Sequence, residues 1–79
     1  MDESSFRQDV ARRVAQAMVA AGMSKTKLAQ LACVPYATLD RKLRGGSDFS
    51  VIELMRIADV CSVRPHSLCP SIFPMEAAA

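Results

Sequence analysis

Seventy-nine residues are enough for one compact core and leave no room for a second domain. The chain is 51% hydrophobic, with no Trp, one Tyr and three Phe, so its core must be aliphatic; no apolar run approaches the roughly 18 residues of a membrane span, and three cysteines without CxxC spacing make neither a disulfide scaffold nor a zinc site. The net charge of +2 conceals an uneven distribution, because residues 24–45 hold Lys25, Lys27, Arg41, Lys42 and Arg44 against Asp40, a net +4, while the rest of the chain sums to −2.

The start, MDESSFRQ, has two acids where a signal peptide has a basic segment, so the chain reads as soluble, reduced and cytoplasmic. Ser5 and Gln8 have capping-box spacing, which predicts a helix from about Phe6. Its apolar stripe is Phe6, Val10, Val14, Ala17 and Ala21, and Gly22 ends it. Ser24 caps a second helix of about two turns, with Leu28, Leu31 and Ala32 on its inner side. Cys33, Val34 and Pro35 break that helix, and Pro35 opens a third that runs from about Tyr36 to Arg44 and stops at Gly45 and Gly46.

On the third helix Leu39 and Leu43 share the inner face, whereas Ala37, Arg41 and Arg44 share the outer one. After the loop GGSDF, Ser50 and Glu53 form a second capping box, with Phe49 placed to staple the first turn. Leu54, Ile57, Ala58 and Cys61 form the buried side of this fourth helix. Val63, Pro65 and Leu68 mark a short fifth helix, which Pro70 ends. No segment alternates like a strand, so the fold class is all-α: a compact bundle of five short helices.

Helices two and three, joined by a four-residue turn within such a bundle, resemble the lambda-repressor-like helix-turn-helix family of phage Cro proteins and Xre-type regulators. The resemblance covers about residues 6–69. It is carried by Ser24 and Lys25, Leu28-Ala29 and Ala32, Val34, Thr38-Leu39, Gly45, and the segments FSVIELMRIADV and CSVRPHSL. It divides the chain into an N-terminal extension (1–5), a DNA-binding domain (6–69) and a C-terminal tail (70–79). Two positions depart from the family pattern: Cys33 stands where relatives have Gly in the turn, and Ser62 where they end helix four with Gly.

The resemblance implies that helix three enters the major groove of double-stranded DNA while helix two crosses the backbone. Arg41 has the chemistry for a bidentate contact to guanine, and Tyr36 and Ala37 offer apolar surface to thymine methyls. Ser24, Lys25, Thr38, Lys42 and Arg44 are assigned to phosphates, with Asp40 placed to hold Arg44. The expected function is a sequence-specific transcriptional regulator, a Cro-like phage repressor or an Xre-type host regulator. The alternative is a protein-binding adaptor of the same fold, such as an antitoxin or a polymerase-associated factor.

No catalytic residue, cofactor or metal is expected. His66 is the only nitrogen ligand near Cys33, Cys61 and Cys69, and no acid pair or phosphate loop is present. With ten residues after the fifth helix, no sensing or self-cleaving domain is expected. Among them Ile72, Phe73 and Met75, with Leu68, form either a homodimer patch or a cover for the core.

Overall fold

A computed structural model describes residues 3–73, and these are entirely helical in their regular structure. Five helices follow in order: α1 (Glu3–Ala20), α2 (Lys25–Ala32), α3 (Tyr36–Leu43), α4 (Val51–Cys61) and α5 (Pro65–Leu68). Helix α1 lies against α3, α4 and α5, and α2 packs on α3 and α4. Leu28, Leu39, Leu54, Ile57, Leu68 and Val14 are the fully buried centre where these faces meet.

The local signals fix most helix ends. Ser24 Oγ accepts from the Lys27 amide, and Ser50 and Glu53 close the reciprocal capping box. Phe49 packs partly buried against the core and lines one small cavity with Leu54, the fourth residue of α4, as a hydrophobic staple requires. The start of α1 differs from expectation: the helix begins at Glu3, so Ser5 lies inside its first turn rather than ahead of it. Leu31 is 48% exposed and Ala29 is buried in its place. At 100° per residue, Leu28, Ala29 and Ala32 span one arc, and Leu31 falls roughly 100° from its centre. Ala21 is exposed because α1 has already ended. The α2–α3 connection is three residues, Cys33 to Pro35, rather than four.

Helices α1 to α4 terminate alike. Gly22, Cys33, Gly45 and Ser62 are left-handed, at φ of 70°, 58°, 81° and 58°. Each donates its amide to the carbonyl three residues back, and the following residue donates to the carbonyl five back: Met23 to Met18, Val34 to Ala29, Gly46 to Arg41 and Val63 to Ala58. This is the Schellman arrangement, which satisfies carbonyls left open at a helix end. Cys33 and Ser62 keep the glycine geometry without being glycine, at a cost of about 1 kcal/mol each. Both side chains are exposed, so no packing is lost by removing them. Cys33→Gly and Ser62→Gly are each expected to raise the unfolding free energy in urea by about 0.5 to 1 kcal/mol. A loss of stability in either variant would contradict the strain.

The start of the tail folds inward. Leu68 is fully buried in the protomer's own core and cannot form part of a dimer patch, and Phe73 packs partly buried against that core. The Phe73 carbonyl oxygen lies 2.8 Å from His66 Nδ1, while Ile72 remains 45% exposed. Met75 lies outside the described residues.

Candidate nucleic-acid interface

The candidate face comprises the start of α2 and the outer side of α3. Burying Leu39 and, in part, Leu43 turns Ala37, Arg41 and Arg44 outward together. Tyr36 stands at the first position of α3 with half its surface exposed, and Thr38 is half-buried. Pro35 opens α3 without a side-chain cap. Ser24 accepts one hydrogen bond from the Lys27 amide, which leaves its hydroxyl proton available to donate.

The basic residues are not equivalent. Lys25 Nζ lies 2.7 Å from Asp40 Oδ1, and Arg44 Nε lies 3.1 Å from Asp40 Oδ2, so one carboxylate of α3 gathers cations from two elements. The Lys25 hydrogen bond outweighs partial desolvation of Asp40 and, with the Arg44 charge, holds the carboxyl below its ordinary range. Lys42, assigned from sequence to the phosphates, points the other way: its Nζ is 2.6 Å from Glu53 Oε1, with only 13% and 17% of the two side chains exposed. Burial pushes the Glu53 carboxyl up, but Lys42 and the Ser50 amide outweigh it, so the net shift is downward. Lys42 therefore ties α3 to the N-cap of α4. Arg41 and Lys27 are exposed, and their side chains have no ion pair among the described residues.

Asp9, Asp40 and Glu53 all have lowered folded-state values, Asp9 mainly through its hydrogen bond from Arg13. A depressed carboxylate contributes stability that is complete above its unfolded value, roughly pH 4, and is lost as pH falls through the lower folded value. Thermal melts should therefore show a flat stability above about pH 5 and a decline below about pH 4, shallower in Glu53→Gln. An equal decline in wild type and Glu53→Gln would contradict the Lys42–Glu53 tie.

No protein-family profile and no curated protein matches the chain by sequence. Among solved structures it is similar to the restriction-modification controller protein C.AhdI from Aeromonas hydrophila, with a TM-score of 0.76, 20% identity, and coverage of 81% of this chain and 97% of that one. The chain shares the fold of that protein, and in it α2 and α3, joined by three residues, make a helix-turn-helix. Within this helix-turn-helix, α2 and α3 place Ser24, Lys25, Tyr36, Ala37, Thr38, Arg41 and Arg44 at the candidate face and take Lys42 into the α3–α4 joint. Lys27 was counted in the basic window but given no role; it is exposed on the first turn of α2, three residues after the Ser24 cap and roughly 200° around the helix from Lys25. Among the described residues no helix is long and apolar enough to cross a membrane.

Proposed function

We propose that the chain is a sequence-specific, double-stranded-DNA-binding transcriptional regulator, a Cro-like repressor of phage or host origin acting in the cytoplasm. The observation that carries this is Arg41, exposed and without an ion pair among the described residues, on the outer side of α3 with Ala37, within a surface where Lys25, Arg41 and Arg44 outnumber Asp40 by two charges. Arg41 reads a guanine edge, and Tyr36 and Ala37 meet thymine methyls. Ser24, Lys25, Thr38 and Arg44 hold phosphates, with Lys27 added, and phosphate oxygens replace Asp40 as partners of Lys25 and Arg44. Lys42 acts through the seating of α3. The binding unit is residues 6–69, with α1 extended by its first turn, and the likeness to a controller protein supports the regulatory role.

One feature favours the adaptor alternative: Val51, Ile52 and Met55 on α4 are 46%, 61% and 52% exposed, an apolar surface suited to a protein partner. Titration of a fluorescent duplex, selected from a random pool, separates the two. With three phosphates neutralised per protomer, raising salt from about 50 to about 200 mM should weaken binding roughly 40-fold. A response flat in salt, or equal affinity for selected and scrambled duplexes, would favour the adaptor.

A further inference from the structure

We propose that Gly46 is a positioning residue for base recognition: without a Cβ, it lets the Arg41 stem lie across the α3–α4 loop backbone, and this seat directs the guanidinium towards the groove. The proposal rests on the base-contact role given to Arg41 above. It begins with the helix ends. At the ends of α1, α2 and α4 the residue after the left-handed position carries an apolar side chain, Met23, Val34 and Val63 respectively, and of these four ends only that of α3 has glycine there. The backbone does not require it, because the left-handed glycines are Gly22 and Gly45 and Gly46 is not among them.

Space requires it instead. A Cβ on Gly46 would stand 2.9 Å from Arg41 Cγ, 3.1 Å from the Arg41 carbonyl oxygen and 3.8 Å from Arg41 Cδ. The aliphatic stem of Arg41 thus lies where a Cβ on Gly46 would stand. The Gly46 amide donates to the Arg41 carbonyl at 2.9 Å, so backbone and side chain of Arg41 are registered on the same residue. No hydrogen bond or ion pair fixes the exposed guanidinium among the described residues, which leaves packing of the stem to limit its rotamers. A long side chain ordered before binding loses less conformational freedom on contact and meets a planar base edge from a defined direction.

The test uses the full chain and duplexes carrying each of the four base pairs at every position of a site selected from a random pool. Arg41→Ala should flatten the preference at one position. Gly46→Ala should lower discrimination at that same position by about fivefold or more, while affinity for a scrambled duplex stays within about twofold. Adding Gly46→Ala to Arg41→Ala should change nothing further there, since the glycine acts through the arginine. If Arg41→Ala leaves every base preference intact, the base-contact role is wrong and this inference falls with it. If Arg41→Ala flattens a position but Gly46→Ala keeps full discrimination, or weakens all duplexes alike, only the Gly46 inference is overturned. Should Gly46→Ala fail to fold, carbon–carbon and carbon–nitrogen couplings of Arg41 in the unsubstituted chain decide: one dominant χ1/χ2 rotamer supports the seat, and averaging over all rotamers overturns it.

Discussion

Leu39→Ala is expected to lower the unfolding free energy by about 2 to 5 kcal/mol, the largest effect of any single substitution in α3. Leu39 is fully buried and is the one buried residue of α3, which makes it the anchor that presses the helix onto α1 and α2. Removing three carbons forfeits their transfer free energy and leaves a cavity that a short helix held by its neighbours cannot collapse to fill. A domain of this length has about 4 to 12 kcal/mol in total, so the variant should melt at much lower urea or unfold outright. Leu43, half-buried, should matter less when truncated. A loss below about 1 kcal/mol for Leu39→Ala would mean that α3 is held by something other than this contact.

Arg41→Ala is expected to remove about 1 to 3 kcal/mol of discrimination, roughly 5- to 150-fold, at a single base pair and little elsewhere. Arg44→Ala should instead weaken every duplex alike and reduce the salt slope by about one. The difference follows from their surroundings. Arg41 is exposed on the outer side of α3 with no ion pair among the described residues, whereas Arg44 caps the helix, 75% exposed, and shares Asp40 with Lys25. Its loss leaves Asp40 paired to Lys25, so neither fold nor base preference should move. Affinities measured on the set of single-base variants at two salt concentrations check both claims. Identical profiles for the two variants would contradict the division of roles.

What the sequence made legible is what one or two turns of chain can encode. Ser24, the Ser50–Glu53 box, Pro65 and Gly22 act on amides or dihedrals within a few residues, and each appears in the expected place. The same logic misplaced the start of α1, because Ser5 and Gln8 have box spacing while the helix already runs from Glu3. Leu31 has an apolar side chain but the wrong angle for a two-turn helix whose inner arc is filled by Leu28, Ala29 and Ala32. Roles that depend on a second element were not legible. Lys42 and Glu53 are eleven residues apart, and Lys25 and Asp40 fifteen, so neither pairing is visible until the helices dock. The Arg41–Gly46 contact lies between these cases: it spans five residues and follows from the way α3 ends.

The division of labour also explains how so small a net charge can serve a polyanion. Glu53 draws Lys42 away from the surface, and Asp9 holds Arg12 and Arg13 on α1. Lys25, Arg41 and Arg44 remain with Asp40 at the candidate face, and Lys27 is exposed on α2. In the proposed complex phosphate would compete with Asp40 for Lys25 and Arg44, a contest that salt screens on both sides.

The most direct measurement of the central claim, that α3 enters the major groove with α2 across the backbone, is a titration of the 15N-labelled chain with the selected duplex, following each backbone amide. The expected result is that perturbed amides cluster at Ser24, Lys25 and Lys27 and from Tyr36 to Arg44, with the outer faces of α1 at Val19 and of α4 at Ile52 and Met55 unmoved. Perturbations centred on Ile52 and Met55, with α3 silent, would contradict it.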